Sequence, residues 1–138
     1  MPARLIIPHL LVEEMRAHVQ RCLPEEGCGI LGGSARLVKV VLPVTNDLHS
    51  PVRFNMAPEE LFKAFVWLEE NSMEMLAYYH SHPRGPAHLS PTDLLYFSYP
   101  GVALVLLSQE YSNWVIKGFI INKNTVEEIP IEPIHRSK

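Results

Sequence analysis

A mostly apolar run that ends in two histidines constrains this chain more than any other stretch. Met73 to Ala77 has the composition of a strand, and it leads into Tyr78-Tyr79-His80-Ser81-His82-Pro83. Successive side chains of a strand point to opposite faces, so His80 and His82 should lie on one face with their imidazoles close together. This is a spacing of metal ligands. The pattern therefore predicts a metal site at the end of a strand.

An aspartate shortly after the second histidine extends this set. Ser90-Pro91 has the sequence of a helix start, a serine cap followed by proline at the first helical position, and Asp93 falls in the first turn. Two imidazoles and a carboxylate suit zinc, and three protein ligands leave a fourth position for water, as in catalytic sites. Alternatively, Ser90 and Asp93 form only a capping box, each side chain bonding a backbone amide. The order and spacing of the whole set favour the metal site.

The segment from His80 to Asp93 resembles the signature of the JAMM (MPN+) metalloproteases, a family of zinc-dependent, deubiquitinase-like isopeptidases. The matching pattern is His-Ser-His-Pro, six residues, Ser, two residues and Asp. The resemblance extends to Pro24–Gly33, where the family has a glutamate before a strand of small and aliphatic residues, and to Arg53–Met56. Leu89 departs from the family, in which proline often precedes the serine.

The upstream glutamate has two candidates, Glu25 and Glu26, and composition does not choose between them. The family's glutamate lies three residues before the glycine that matches Gly29, so the resemblance selects Glu26. The resemblance implies that Glu26 is the general base, taking a proton from a zinc-activated water and delivering it to the leaving amine. It also implies that Ser90 helps to hold the oxyanion of the tetrahedral intermediate.

The resemblance assigns one Zn²⁺ per chain to His80, His82 and Asp93. Ser81 lies between the two histidines and should point to the opposite face of the strand, so no chemistry is assigned to it. His88 lies in the middle of a loop where the family pattern has no ligand. His49, in a polar loop, should be exposed to solvent.

Cys22 and Cys28 should both be free thiols. They are six positions apart, which is not the CxxC spacing of a redox or zinc pair. We expect Cys22 to be an ordinary residue at a helix end and Cys28 to be a small core residue.

Length and composition bound the class of protein. The 138 residues predict a single domain over 1–138, with 47% apolar and 20% charged residues, as in ordinary globular proteins. The 12 basic and 15 acidic side chains give a net charge of −3, which does not suggest a nucleic-acid partner. No apolar run has the length of a membrane span, and the N-terminus lacks the apolar stretch of a signal peptide. We therefore expect a cytoplasmic protein with no membrane partner.

The pattern of elements predicts an α/β (α+β) fold. The predicted helices cover 8–22, a segment beginning at Pro58, and 91–99; the predicted strands cover 4–7, 28–32, 37–44, 52–56, 73–82, 102–107, 114–121 and an edge strand at 126–129, followed by a frayed tail. The second and third strands should form a hairpin. In the second helix, Phe62 and Phe65 are expected to pack in the core rather than line a binding surface. The resemblance implies a more specific fold: a mixed, mostly antiparallel sheet flanked by helices, as in the cytidine-deaminase-like MPN domain.

The resemblance implies hydrolysis of a peptide or isopeptide bond after the C-terminal Gly-Gly of a ubiquitin-like or sulfur-carrier protein. Only ten residues separate His82 from Asp93, too few for a long substrate-gripping insertion, so a compact partner is expected. The group released from the glycine could be cysteine or a protein lysine. A non-catalytic MPN scaffold or binding module is the alternative. A nucleobase deaminase would need a P-C-x-x-C motif, which this sequence lacks.

Overall fold

A computed structural model of the chain describes residues 4–90, 93, 101–110, 113–122 and 125–134. Along these described residues, two helices and eight strands alternate irregularly. In chain order they are β1 (Leu5–Pro8), α1 (His9–Cys22), β2 (Cys28–Ser34), β3 (Leu37–Val44), α2 (Pro58–Glu70), β4 (Glu74–His82), β5 (Ala103–Glu110), β6 (Asn113–Asn122), β7 (Thr125–Ile129) and β8 (Ile131–Ile134).

All eight strands form one sheet, in the order β7-β6-β5-β4-β2-β3-β1-β8. The β2–β3, β2–β4, β5–β6 and β6–β7 pairs are antiparallel, whereas β4–β5, β1–β3 and β1–β8 are parallel. The predicted hairpin of β2 and β3 and the edge position of β7 are both confirmed. The expectation of a mixed, mostly antiparallel sheet flanked by helices is confirmed as well. The strand that carries the two histidines, β4, lies near the middle of the sheet.

Each face of the sheet is covered by one helix. α1 buries Val12, Met15 and Val19, which recur every three or four positions, against a cluster that includes Tyr79. α2 buries Ala64 and Leu68 on the other face, in a cluster with Phe54. Because side chains alternate along β4, Tyr79 belongs to the α1 face while His80 belongs to the α2 face.

The expectation that Phe62 and Phe65 pack in the core is wrong. Phe62 is 67% exposed and Phe65 is 41% exposed. Only positions 61, 64 and 68 of α2 turn toward the sheet, and at 3.6 residues per turn Phe62 lies on the outer side of the helix and Phe65 on its flank. The helical spacing showed that Phe62 and Phe65 are neighbours on the helix surface. It did not show which side of the helix packs against the sheet.

Two further predictions of secondary structure need correction. Residues 52–56 form no strand, since only Met56 is paired, in an isolated bridge with Asn46. The expected frayed tail contains β8, which pairs in parallel with β1 at the far edge of the sheet. The predicted helix at 91–99 lies outside the described residues except for Asp93, which has helical conformation. Among the described residues, neither helix is long and apolar enough to span a membrane.

Candidate metal centre

The two histidines of β4 meet at one point, as their alternation predicts. His80 and His82 both lie at the C-terminal end of the strand, between β2 and β5. Their Nε2 atoms are 3.3 Å apart, and the rings are 0% and 5% exposed. Two imidazole nitrogens therefore converge in a site that is almost closed to solvent.

Asp93 completes a triangle with the two histidines. Its Oδ1 lies 3.1 Å from His80 Nε2, and its Oδ2 lies 3.1 Å from His82 Nε2. The capping interpretation holds at the same time, because the Ser90 amide donates to Asp93 Oδ2 at 2.9 Å and the Asp93 amide donates to Ser90 Oγ at 3.1 Å. The cap holds the carboxylate in place against the imidazoles.

The structure separates the two candidate glutamates. Glu26 is 3% exposed, and one of its carboxylate oxygens lies within 4.8 Å of ligand nitrogens on both His80 and His82. Glu25 instead turns toward the exposed loop, where its Oε1 lies 3.2 Å from His49 Nδ1. The residue selected by the resemblance is therefore the one beside the histidines.

The orientation of each histidine ring is fixed by a second contact. His82 Nδ1 donates to the backbone carbonyl of Pro86 at 2.9 Å, which leaves Nε2 of a neutral ring free to bind a metal. His80 is stacked on Phe54, with ring centroids 4.6 Å apart and an interplanar angle of 20°. Among the described residues, His80 Nδ1 has no hydrogen-bond partner.

The centre strongly shifts the pKa values of its groups. Burial raises the pKa of Glu26 to about 8, with His82 opposing and Asp93 adding to the rise. Burial would also raise the pKa of Asp93, but hydrogen bonds with the two histidines and the Ser90 amide hold it well below its usual range. Burial lowers the pKa of His80. For His82 burial acts in the same direction, but the contacts with Asp93 and Pro86 outweigh it and the pKa is raised. Such opposed shifts in one pocket are typical of functional sites.

The residues present fit a zinc ion. Ligand atoms about 2.0–2.1 Å from a tetrahedral zinc are about 3.3 Å apart. The Nε2 atoms of His80 and His82 are 3.3 Å apart, and each lies 3.1 Å from one of the two oxygens of the Asp93 carboxylate. In addition, Glu26 Oε1 is buried without a hydrogen-bond partner among the described residues, as expected of a group that faces a bound ion or water. Two nitrogens and a carboxylate oxygen are the donor set of a catalytic zinc site.

Within the described part of the chain, His49, His88 and Cys22 lie outside this cluster, and Cys28 is the cross-strand neighbour of His80 without being part of the cluster. His88 is exposed in its loop, and His49 is exposed beside Glu25, as predicted. Both cysteines are free, Cys28 buried and Cys22 half-buried. Cys22 Sγ lies 3.5 Å from Nε2 of His18, a residue of α1 whose Nδ1 bonds the hydroxyl of Tyr79.

Sequence reasoning missed two polar residues that touch the segment carrying Glu26. The side chain of Asn46 donates to the Glu26 carbonyl at 3.1 Å, and Ser81 Oγ accepts from the Gly27 amide at 2.7 Å. Asn46 lies in a stretch that reads as an ordinary polar loop. Ser81 does point away from the metal ligands, as expected, but toward a backbone amide. The alternation of β4, combined with the β2–β4 pairing, was the available signal for Ser81.

Comparison with solved structures gives the class of this fold. The chain superimposes on protein DSY2949 from Desulfitobacterium hafniense with a TM-score of 0.87 and 34% identity, covering 96% of this chain and 94% of that one. It also matches AF2198, a JAB1/MPN domain protein from Archaeoglobus fulgidus, with a TM-score of 0.61 and 20% identity, covering 96% and 97%. The second likeness concerns the fold alone, and it is the fold of a JAB1/MPN domain.

Comparison of the sequence with protein families identifies the family of this chain. The chain belongs to the prokaryotic homologs of the JAB domain, whose family model matches residues 8–117. A desampylase from Pyrococcus furiosus is 34% identical over 108 residues, covering 77% of this chain and 74% of the relative. A CysO-cysteine peptidase from Mycobacterium bovis is 28% identical over 135 residues, covering 96% and 92%.

A third relative is more similar over a shorter segment. It is a probable TtuB-protein conjugate cleaving protease from Thermus thermophilus, 45% identical over 91 residues. The match spans 65% of this chain and 61% of the relative, less than two thirds of that protein's length.

Proposed function

We propose that this chain is a zinc-dependent metallopeptidase that hydrolyses the peptide or isopeptide bond after the C-terminal Gly-Gly of a ubiquitin-like or sulfur-carrier protein. The observation that carries this proposal is the buried cluster of Glu26 with His80, His82 and Asp93. In the proposed arrangement His80, His82 and Asp93 are the metal ligands, and Glu26, which lies beside both histidines, is the remaining carboxylate. A structural zinc site would be closed by a fourth ligand, whereas a hydrolytic one keeps a base beside an open position.

The family makes the chain a hydrolase. The relatives named above are a conjugate-cleaving protease, a desampylase and a peptidase, and all three are hydrolytic enzymes by name. Two of those names describe different joined species: TtuB joined to a protein, and CysO joined to cysteine. We infer that this chain cleaves an adduct of the same general class.

The roles of the residues follow from their positions. Zinc, held by His80, His82 and Asp93, would act as a Lewis acid and bring the pKa of a bound water to about 7. Glu26 accepts a proton at its carboxylate and delivers it to the leaving amine, and its position beside both histidines places it for that role. A carboxyl group whose pKa lies near the working pH can act as base and then as acid.

Ser90 has a separate role in this proposal. Its Oγ accepts from the Asp93 amide, and a serine hydroxyl can donate its own hydrogen at the same time. We assign that hydrogen to the substrate carbonyl oxygen as negative charge develops there. Loss of one such donor costs about 10²–10³ in rate in other hydrolases.

The α2 face of the sheet offers a surface for the folded part of the carrier. Phe62 and Phe65 are 67% and 41% exposed on adjoining sides of α2, Trp67 is 38% exposed on the opposite flank, and the helix packs with Phe54, the residue stacked on His80. Exposed aromatic side chains of this kind are common at protein interfaces. A carrier seated there would approach the same face of the sheet as the two histidines.

The proposal is tested by offering one carrier protein ending in Gly-Gly in two forms, one carrying cysteine and one carrying a lysine side chain on the terminal glycine. Intact mass is followed for each product, with a chelator-treated sample as control. Release of the free carrier only by zinc-loaded protein is the expected result. Release of cysteine would identify one adduct class and release of the lysine compound the other.

Two outcomes would overturn parts of the proposal. A zinc-loaded protein that cuts unrelated peptides but neither adduct would remove the ubiquitin-like specificity. A zinc-loaded protein that cuts nothing would favour the non-catalytic scaffold. The presence of the base and all three ligands in one buried cluster argues against that second candidate.

A further inference from the structure

The peptide group that joins Glu26 to Gly27 is bound on both sides by side chains from other parts of the chain. Asn46 Nδ2 donates to its carbonyl oxygen at 3.1 Å, and Ser81 Oγ accepts from its amide at 2.7 Å. The neighbouring backbone groups are bonded too. The Glu26 amide donates to the carbonyl of Ser50 at 2.8 Å, and the Ser81 amide donates to the Gly27 carbonyl at 3.0 Å. The amide and carbonyl groups of both Glu26 and Gly27 are therefore all hydrogen-bonded.

The side chain of Asn46 also forms hydrogen bonds with several backbone groups of its own loop. Its side chain is 5% exposed. Besides the Glu26 carbonyl, Nδ2 binds the carbonyl of Arg53 at 3.0 Å, and Oδ1 accepts from the amides of Leu48 and Asn55 at 3.1 Å each. Arg53 immediately precedes Phe54, the residue stacked on His80. One amide side chain thus connects the segment of Glu26 with the segment that packs on a metal ligand.

Ser81 connects the same peptide group to β4, the strand that bears both histidines. It is 0% exposed and lies between His80 and His82 in β4. Its hydroxyl bond to the Gly27 amide, together with the backbone bond back to Gly27, extends the β2–β4 pairing by one residue past Cys28. A residue that separates two metal ligands thereby also holds the residue next to Glu26.

We infer that Asn46 and Ser81 are positioning residues that hold Glu26 at a fixed place relative to His80 and His82. This inference rests on the proposed function, in which Glu26 is the base. Glu26 Oε1 has no hydrogen-bond partner among the described residues, so its side chain is not anchored at that oxygen and depends on its backbone for position. Displacement of a catalytic group by about 1 Å can cost about 10² in rate. Both residues act through Glu26 and touch neither substrate nor metal.

The test uses Asn46→Ala and Ser81→Ala in the full chain, measured for kcat, KM, zinc per chain and melting temperature. We expect each variant to keep its zinc and its KM and to lose about tenfold to hundredfold in kcat. Asn55→Ala is the matched control in the same loop: among the described residues its side chain bonds only the exposed Asp47, and its backbone amide would still reach Asn46. Ile7→Ala, in the distant strand β1, controls for lost stability, and it should lower the melting temperature without lowering kcat.

A second readout does not depend on activity. In the metal-free protein, the Gly27 amide should exchange slowly with solvent because it is buried and donates to Ser81. Ser81→Ala should accelerate that exchange selectively, while the amides in the middle of β5 keep their protection. Unchanged protection of Gly27 in Ser81→Ala would show that the hydroxyl does not hold this segment.

The outcomes separate this inference from the proposed function. Unchanged kcat in both Asn46→Ala and Ser81→Ala, with Glu26→Gln inactive, overturns the positioning role and leaves the base assignment intact. Full activity of Glu26→Gln overturns the base assignment itself. If one variant fails to fold, the kcat of the other still tests the positioning role. Asn46→Ala removes the bond to the carbonyl of this peptide group, and Ser81→Ala removes the bond to its amide. Failure of both to fold or to bind zinc would make these residues structural and would also overturn the inference.

Discussion

Phe54 lies face to face with His80, with their ring centroids 4.6 Å apart. Phe54 is 5% exposed and belongs to the core cluster on the α2 face. We predict that Phe54→Ala lowers zinc affinity by roughly 10–100-fold, because the His80 ring loses the surface that holds its orientation. The same change should cost roughly 3–5 kcal/mol of folding free energy. Zinc titration and urea unfolding measure the two effects, and Phe54→Leu, which keeps most of the volume, should lose less of each.

The ligand assignment predicts which histidines matter. His80→Ala, His82→Ala and Asp93→Ala should each lose most of the bound zinc, because the two Nε2 atoms lie 3.3 Å apart and each lies 3.1 Å from one oxygen of the Asp93 carboxylate. His88→Ala is the matched control, since this histidine is exposed in the loop between the ligands. Metal content after dialysis measures the difference. Full zinc occupancy in the double variant of His80 and His82 would show that the ion binds elsewhere.

The raised pKa of Glu26 predicts how pH affects the metal-free protein. Burial moves this pKa from 4.5 to about 8, so between these values the folded state binds a proton that the unfolded state has released. The contribution to stability is therefore complete below about pH 4.5 and is lost as the pH rises to about 8. We expect Glu26→Gln, which cannot ionise, to gain stability relative to the parent chain over this range. Melting temperatures of both proteins in a chelator, from pH 5 to 9, test the sign.

Gly29 allows the close approach of β2 to a buried aromatic ring. A Cβ at this position would lie 2.4 Å from the ring of Tyr79, whose hydroxyl is bonded to His18 and whose exposure is 0%. We predict that Gly29→Ala destabilises the fold by roughly 1–3 kcal/mol through overpacking. Gly118→Ala is a milder control, because a Cβ there would be 3.2 Å from flexible ends of two isoleucines. An equal cost in both variants, by urea unfolding, would contradict this account.

Local patterns carried most of what sequence could predict about the site. The His-x-His alternation depends only on strand geometry, and the Ser90–Asp93 cap depends only on the first turn of a helix, so both could be anticipated. The choice of Glu26 over Glu25 could not be made from local chemistry. It depends on which side chain faces β4 when β2 pairs with it, which is a tertiary property.

Other predictions were wrong for reasons of the same kind. Phe62 and Phe65 have helical spacing, but the stripe that contacts the sheet passes through Ala64 and Leu68, which bring the helix close. The segment 52–56 has the composition of a strand. However, the Asn46 side chain forms hydrogen bonds with the Arg53 carbonyl and the Asn55 amide of this segment, in place of a neighbouring strand. β8 pairs in parallel with β1 across almost the full length of the chain, and no local pattern indicates such a pairing.

The most direct test of the central claim is to measure zinc content and hydrolysis together in Glu26→Gln and Glu25→Gln. Glu26 lies beside His80 and His82, and we propose that it acts as the base rather than as a ligand, so Glu26→Gln should keep one zinc per chain and lose nearly all hydrolysis of a carrier adduct. Glu25 faces His49 at the surface, so Glu25→Gln should keep both properties. The contrary result is a Glu26→Gln protein that hydrolyses the adduct at the rate of the parent chain, or a Glu25→Gln protein that retains zinc but is inactive.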